Sequence, residues 1–339
     1  MNVPSHNFLS APLWLINVLH IVTLSLHLIA MNFLFGGLAV ILLGRIKQRW
    51  QNPAVLRYVK LLPTAMAATI TLGVAPLLFL QLVYHRQAYS AGIVSGWFWL
   101  FIIPVVILAY YFLYGAAFTK TPEKHNGRYL LVSLLCFVYV SLVYSTVFAL
   151  AENPELCRTA YAANPGGLTI NPDIGSWIFR WLHMITGAIT VGGLFVGWVG
   201  KDDDAVYRTG KLFFTWGFAT ASVFGMIYLF TLGEHLLGLM RTPAIWALTV
   251  GIVLSAGSLH FFYKRRFVWA GIMVMLSVLM MVYTRHHVRL LHLADEFEPS
   301  TLPIRTQWSI FLVFLVCFVA ALGLVWYMLK LFFAREQNQ

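Results

Sequence analysis

Nine long apolar stretches constrain this chain more than any other feature of its sequence. Each contains about 20 residues or more, the length that an α-helix needs to cross a hydrocarbon core of about 30 Å. Charges, Pro or Gly bound each stretch, and the chain is 60% hydrophobic and 10% charged. The sequence therefore predicts an all-α polytopic membrane bundle of about nine transmembrane helices. We place these at roughly 12–44, 57–84, 94–119, 128–150, 176–199, 211–233, 243–263, 267–288 and 307–333.

The chain is predicted to form a single integral membrane domain over residues 1–339. Its longest non-apolar stretch, about 151–175, is rich in Asn, Pro and Gly and too short to fold alone, so we expect an external loop between helices four and five. The external segment at about 289–306 is a second connection. Either could receive a partner or be a plain solvated loop. No clear internal repeat is evident, which counts against an inverted-repeat transporter.

The distribution of Lys and Arg predicts the orientation of the chain. Alternate segments hold sixteen of these residues on one side and seven on the other. Short basic loops stay in the cytoplasm, so the N-terminus is predicted to be periplasmic and the C-terminus cytoplasmic, in a bacterial inner membrane. The first apolar run lacks a basic n-region and a small-residue cleavage site, so it is expected to remain as helix one. The net charge of +11 then reflects topology and contact with anionic lipid, with no nucleic-acid partner.

Cysteine and acidic residues exclude several kinds of site. The three cysteines are scattered, and Cys-x-x-Cys-His is absent from the sequence, which argues against c-type haem attachment, a Cys-rich iron–sulfur or zinc site, and a disulfide framework. The twelve Asp and Glu residues all fall outside the middle of the predicted spans. Ion-coupled transporters usually keep a carboxylate at that depth, so a pump is disfavoured.

Histidine carries the strongest functional signal. Six histidines are predicted within or at the ends of spans toward the outer face, where an ionisable side chain is costly and indicates function. Imidazoles at one depth, in a chain that is 16% aromatic, match what a membrane haem needs. Any one of these histidines could instead serve helix packing, but the six taken together favour haem. The candidate cofactor-binding residues are His20, His27, His183, His235, His286 and His287, with His27, His183, His20 and His286 as candidate ligands of haem iron.

Spacing separates the roles of these residues. His20 and His27 are seven residues apart and share one face of helix one, so they could serve two haems, or one could bind a propionate. His183 is followed by glycines that allow close approach of a macrocycle or of a helix. Glu234 and Arg241 are candidate quinone-binding residues beside helix six, or ordinary interfacial anchors. A copper site is a weaker alternative, since His-x-His spacing is absent.

Several segments resemble subunit I of the cytochrome bd quinol oxidases, a family with nine helices and an external N-terminus. His27 with the following Gly36-Gly37-Leu38-Ala39 resembles the haem-ligating histidine of helix one and its Gly-Leu-Ala. In helix two, Leu72-Gly73-Val74-Ala75 is similar to the family's Leu-Gly-Val-Ala. His183-Met184-Ile185-Thr186-Gly187-Ala188 resembles the His-Thr-Val-Thr-Ala-Gly segment of the low-spin haem b ligand, and Ser222 to Glu234 continues the likeness through helix six.

The chain departs from the family where oxygen is reduced. The family's two glutamates of helix three fall on Trp97 and Val105, its Met ligand on Thr249 and its Glu ligand near Val282. Arg285-His286-His287 stands where the family has Arg-Gln-Pro, and its long quinol loop shrinks to a turn at 236–242. The resemblance therefore implies haems that carry electrons, with oxygen reduction in doubt.

These observations predict the haem b subunit of a quinol oxidoreductase. It would hold two or more haems b and exchange electrons between quinol or quinone and a periplasmic or membrane cytochrome c, as part of a hetero-oligomeric respiratory complex in the lipid membrane. A bd-type terminal oxidase subunit is the first alternative. A haem-free membrane anchor or transporter is the second.

Overall fold

The computed structural model describes residues 8–336, and the side chains of all of these except residue 329 and residues 332–336. Twelve helices make up the described part of the chain, and nine of them are long and apolar enough to cross a membrane. The spanning helices are α1 (Leu13–Leu43), α2 (Pro53–Val83), α4 (Gly96–Phe118), α5 (Pro122–Ala151), α7 (Ile174–Val199), α8 (Asp204–Thr231), α10 (Ala244–Tyr263), α11 (Phe267–Leu293) and α12 (Trp308–Glu336). The short helices are α3 (His85–Val94), α6 (Pro154–Ala163) and α9 (Glu234–Met240). The predicted all-α polytopic bundle is confirmed.

Several spanning helices begin earlier than the apolar stretches do, because polar caps extend them beyond the hydrocarbon layer. The Asn52 side chain accepts from the backbone amides of Ala54 and Val55 at 2.9 and 3.2 Å and starts α2. Asp203 accepts from the amides at the start of α8, both at 3.0 Å. Such side chains satisfy amides that have no partner inside the helix, so hydropathy alone places these starts too late.

Two predicted connections prove to contain helix. The segment 151–175, expected as a loop, carries α6, which the Asn153 side chain caps by accepting from the Leu156 amide at 3.0 Å. Cys157 and Ala160 on this helix are buried, and the helix packs against α3 and α5. The expected turn at 236–242 likewise holds α9. Both expectations were wrong because short amphipathic helices lie below the length that a spanning-helix pattern detects.

The first spanning helix changes its winding midway. Residues Asn32–Gly36 form a π-helical turn between two α-helical parts of α1. The Tyr58 hydroxyl on α2 donates to the carbonyl oxygen of Phe33 at 2.7 Å, inside this turn. A π-turn frees carbonyls from the regular ladder, and a side chain from the next helix uses one of them here.

The helices before α12 fall into two consecutive groups with the same order. In α1 to α5 two spans, one short helix and two spans follow each other, and α7 to α11 repeat that order. Each group pairs its first span with its second and its third with its fourth, and α1 crosses α7 at the centre. The described side chains of α12 are exposed, apart from half-buried Phe311. The expectation of no internal repeat is therefore wrong at the level of the fold.

At one end of the bundle the first, third, fifth, seventh and ninth spans begin and the other four spans end; those that begin there are α1, α4, α7, α10 and α12. We call this the Glu152 end, since Glu152 follows α5 there. The chain start is tied to the segment before α12 at this end, where the Leu9 amide donates to the Pro303 carbonyl and the Arg305 amide to the Leu9 carbonyl, both at 2.8 Å.

Candidate functional site

One buried carboxylate holds three arginine side chains at the Glu152 end. Glu152 accepts from Arg285, from Arg180 Nη1 at 3.3 Å and from Arg289 Nε at 3.2 Å. Arg180 Nη2 also donates to the carbonyl oxygen of Ser145 at 2.7 Å. The four charged groups come from the end of α5, the first turns of α7 and the last turns of α11. We call them the arginine cluster.

The arginine cluster has more positive charge than its own carboxylate neutralises. Three guanidinium groups against one carboxylate leave a net charge of +2. Arg285 Nη1, Arg289 Nη1 and the Tyr84 hydroxyl are buried with no hydrogen-bond partner among the described residues. Unpaired buried charge is costly, so this arrangement favours an added anion.

Glu152 itself is held in its charged form. Burial acts to raise the pKa of this carboxyl, but Arg285, Arg180 and Arg289 outweigh it and lower the pKa to about 2. A cavity of about 10 Å³ adjoins Glu152, Arg289 and Tyr84. That volume is room for about one water, so a larger anion would require the surrounding side chains to move.

His20 and His286 lie beside the arginine cluster. The two imidazoles, on α1 and α11, lie near each other and near Arg289. His20 Nδ1 lies 3.1 Å from the carbonyl oxygen of Pro76 on α2. The ring of His287 lies 5.6 Å from that of His286, at a steep angle. Three of the six predicted histidines thus share one region.

His27 and His183 have matching surroundings on α1 and α7. His27 Nδ1 lies 2.9 Å from the carbonyl oxygen of Thr69 on α2, and His183 Nδ1 lies 2.8 Å from that of Ala221 on α8. A carbonyl oxygen only accepts, so each Nδ1 carries the proton and donates. Each ring therefore keeps a neutral Nε2 with a free lone pair, the form in which histidine binds a metal.

The predicted quinone residues frame a short helix at the same end. Glu234 begins α9 and Arg241 follows it, and both are exposed. His235, next to Glu234, places its ring 4.5 Å from that of His292 on α11. His292 Nδ1 lies 2.8 Å from the carbonyl oxygen of Val288 in its own helix. His235 therefore lies in a pair of its own, separate from His27 and His183.

Within residues 8–336, no group of three or more His, Cys, Asp or Glu side chains is arranged to hold a metal ion. A haem needs less from the protein, because the porphyrin supplies four nitrogens and one or two axial side chains complete the iron. The free Nε2 atoms of His27 and His183 suit such an axial ligand. The unpaired guanidinium donors of the arginine cluster suit the two propionates of a haem. These donors fit the chemistry of the group, and a propionate would enter the cavity of about 10 Å³ beside them only as the surrounding side chains move.

Most residues that build the arginine cluster are absent from the site predicted by sequence. The apolar pattern predicts that Glu152 lies in a loop. Arg180 and Arg289 enter the sequence prediction only through the count of Lys and Arg that gives the orientation. Their spacing carries a signal, since Arg285 and Arg289 share one helix face at i and i+4, and Arg180 precedes His183 by one turn. His292, the ring partner of His235, is likewise predicted in a loop.

No protein-family model matches this sequence, and no curated protein is detectably similar to it. The multi-pass membrane fold and the geometry of the histidines and arginines are therefore the findings from which a function is inferred.

Proposed function

We propose that this protein binds haem b in the membrane and passes electrons between a quinol and a redox partner at the Glu152 end. The observation that carries the proposal is that the rings of His27 and His183 are held by the same kind of hydrogen bond. In each, a carbonyl oxygen of the neighbouring helix accepts from Nδ1 and leaves Nε2 unprotonated.

A histidine that binds haem iron requires such a hydrogen bond from its Nδ1. A hydrogen bond to the second ring nitrogen sets the tautomer, orients the ring and raises the basicity of the ligating nitrogen. Both side chains are half-buried, and neither Nε2 is among the fully buried polar atoms that lack a partner, so each Nε2 is open to a ligand that approaches the ring. The same arrangement occurs twice, on α1 and on α7.

The arginine cluster supports the proposal through its charge. A haem brings two propionate carboxylates, and the cluster has an excess of two positive charges together with unpaired donors on Arg285 and Arg289. Charge-assisted bonds of guanidinium to carboxylate are among the strongest in proteins. Because the cluster adjoins His20 and His286, those two rings would line the same haem edge.

Haem b supplies a reversible one-electron carrier when it is bound. The chain would contribute the axial nitrogens, the cations that hold the propionates, and apolar helices that exclude water. Charge placement in the loops predicts that the Glu152 end faces the periplasm, which would direct electrons to or from a cytochrome c there. Glu234 and Arg241, which are exposed at the two ends of α9, would be available to a quinol head group.

Purified protein tests the proposal directly. The dithionite-reduced minus oxidised spectrum should show a haem b band, and pyridine haemochrome should give a whole-number ratio of haem to chain. Duroquinol should then reduce the pigment. Protein that is monodisperse and folded in detergent, produced with haem supplied, yet without any haem b band, would overturn the proposal.

A further inference from the structure

A cavity of about 450 Å³ opens at the end of the bundle opposite the Glu152 end. It lies between the connection after α7 and the start of α11, and its lining includes three cations, Lys201, Arg265 and Arg266, and two indoles, Trp198 and Trp269. None of the described residues that line it is acidic. Its volume falls within the roughly 300–1,000 Å³ of small-ligand sites. We call it the basic cavity.

The nearest carboxylates leave two of these cations without an ionic partner. Three acidic residues follow Lys201 in the chain, namely Asp202, Asp203 and Asp204. Asp203 caps α8 and also accepts from the Asn52 amide at 2.7 Å, Asp204 lies 3.4 Å from Arg265, and Asp202 is exposed. Within the described part of the chain, Lys201 and Arg266 form no ion pair. Both are therefore available to an anion.

Arg265 fixes the two walls of the basic cavity to each other. Its φ of 55° lies in the left-handed region that favours glycine, in the turn that ends α10. The amides of Arg265 and Arg266 close this turn by donating to the carbonyls of Phe262 and Phe261, both at 2.9 Å. Arg265 Nη1 donates to the carbonyl oxygen of Lys201 at 2.9 Å. Glycine would suit this backbone better, but only a long cationic side chain makes this tie.

The matching place in the first half of the bundle, α1 to α5, is covered by the chain itself. There the connection after α1, residues 44–52, carries a short turn that packs on α2 and α5. The ring of Trp50 in this turn lies against Gly127 near the start of α5. In the second half, α7 to α11, the connection after α7 spans only 200–203 and is too short for such a turn. The start of α11 is left open to a bound molecule.

An apolar face continues from the basic cavity along α11. Val268, Ile272 and Leu276 recur every four residues, so they share one side of the helix, and all three are exposed. At 1.5 Å per residue this face extends about 12 Å toward the middle of the bundle. The indoles at the cavity are of the kind enriched where membrane meets water. A cationic cavity that leads onto an apolar face matches a molecule with an anionic head and hydrocarbon chains.

From this arrangement we infer that the basic cavity binds the phosphate group of an anionic phospholipid. Lys201 and Arg266 contact the phosphate, Arg265 is a positioning residue that holds the walls, and the acyl chains lie along the exposed apolar face of α11. A free phosphate shares the anionic group but makes no use of that face. The loop charges predict that this end faces the cytoplasm, where the leaflet carries anionic lipid.

Lipid titration of the purified, delipidated full chain in detergent tests the inference. Dioleoyl phosphatidylglycerol should form a one-to-one complex, detected by native mass spectrometry, and should raise the melting temperature. Dioleoyl phosphatidylcholine has the same chains without the net charge and should bind much more weakly. Glycerol 3-phosphate has the phosphate without the chains and should give no shift at the same concentration.

A charge-matched pair of double variants locates the site. K201Q/R266Q should bind dioleoyl phosphatidylglycerol about 25-fold more weakly, since each Lys or Arg at an anionic lipid contributes roughly a factor of five. K120Q/K124Q removes two exposed cations at the same end, next to the start of α5, and should bind as wild type does. Both should melt with wild type in the absence of lipid, because the four side chains are exposed.

A third variant tests the tie between the walls and protects against misfolding. In R265G the backbone adopts a positive φ without strain, so the fold is kept. The hydrogen bond to the Lys201 carbonyl is lost, and binding of dioleoyl phosphatidylglycerol should weaken while melting without lipid stays close to that of wild type.

The possible outcomes are distinct. Equal weakening in K120Q/K124Q and K201Q/R266Q would reveal a diffuse attraction to the charged end and overturn the inference. Equal binding of phosphatidylcholine would show that charge plays no part, and an equal shift with glycerol 3-phosphate would make a soluble anion the occupant, so either result overturns it too. Unchanged lipid binding by folded K201Q/R266Q or folded R265G has the same consequence.

Discussion

At the scale of single residues, Glu152 has the greatest energetic weight. It lies between three guanidinium groups from two other helices, and its side chain is 7% exposed. Removing one partner of a buried ion pair leaves the others uncompensated, which is far more damaging than removing an exposed pair. Predictions at this scale follow from that asymmetry.

Replacement of Glu152 by glutamine should destabilise the protein strongly. Three buried cations would lose their carboxylate, and breaking a buried pair costs about 3–5 kcal/mol. E152Q should therefore melt at a clearly lower temperature when tryptophan fluorescence is followed in detergent. E155Q, which removes an exposed carboxylate paired with Arg158, is the control and should melt with wild type. Equal melting of E152Q and wild type would contradict the role given to the arginine cluster.

The contribution of Glu152 should depend on pH only in the acid range. Its pKa is about 2 in the folded protein against an ordinary 4.5, so the stabilisation is fully present above pH 4.5 and is lost as the pH falls toward 2. The melting difference between wild type and E152Q should stay constant from pH 8 to 5 and shrink below pH 4.5. A difference that already shrinks between pH 7 and 6 would point to a histidine instead.

At the scale of helices, the α1–α7 crossing and α12 differ most in how closely they pack on the rest of the bundle. The α1–α7 crossing brings backbone against backbone at Gly36, while α12 exposes nearly all of its described side chains. Small residues permit such crossings in membranes, where packing takes the place of the hydrophobic effect. A substitution at the α1–α7 crossing should therefore destabilise the bundle, whereas a substitution on α12 should be tolerated.

A methyl group at the α1–α7 crossing should disrupt the bundle. In G36A the new Cβ would overlap the carbonyl of Ala188, and because that neighbour is backbone it cannot rotate away. Overpacking costs typically about 1–3 kcal/mol, and more where backbone must move. We expect a lower melting temperature and poor yield for G36A. G323A on α12, where an added Cβ meets nothing within 4 Å, should behave as wild type.

Removal of α12 should leave the two halves intact. A chain that ends at Gln307 keeps the hydrogen bond from the Gln307 amide to the Ser10 carbonyl and loses little packing, since the α12 side chains are exposed. We expect this truncation to be monodisperse by size exclusion and to melt within a few degrees of the full chain. Aggregation of the truncated chain would show that α12 packs on the bundle in the membrane.

At the scale of the whole molecule, the distribution of charge predicts the orientation in the membrane. Sixteen Lys and Arg residues lie on the side opposite the Glu152 end, against seven on that end. The Glu152 end is therefore expected outside the cytoplasm, where the proposed redox partner would reach it. This expectation assigns the proposed electron exchange to the periplasmic face.

Cysteine labelling in intact cells tests the orientation. The background variant replaces Cys136, Cys157 and Cys317. A membrane-impermeant maleimide should label N164C, in the exposed segment after α6, before lysis, and K124C, at the opposite end, only after lysis. The reverse order of labelling would invert the topology and place the proposed redox surface in the cytoplasm.

The sequence by itself determined the spans, because a helix that crosses lipid must be apolar over its whole length. Such a run is recognised from the hydropathy of its residues without any knowledge of their neighbours in space. It also singled out His27 and His183, since an ionisable side chain inside an apolar run is conspicuous. It misplaced α6 and α9, whose mixed polarity carries no comparable signal. The spacing from His27 to Gly36-Gly37-Leu38 recurs from His183 to Gly192-Gly193-Leu194. Only the structure shows that Gly36 and Gly192 are in contact.

Only the tertiary structure decided which polar groups meet. Glu152, Arg180 and Arg289 lie far apart in the chain and come together because three helix ends converge. The partners of the His27 and His183 rings are backbone carbonyls, which every residue possesses, so side-chain identity could not reveal them. Hydropathy is a property of each segment, whereas pairing across helices depends on how the segments pack.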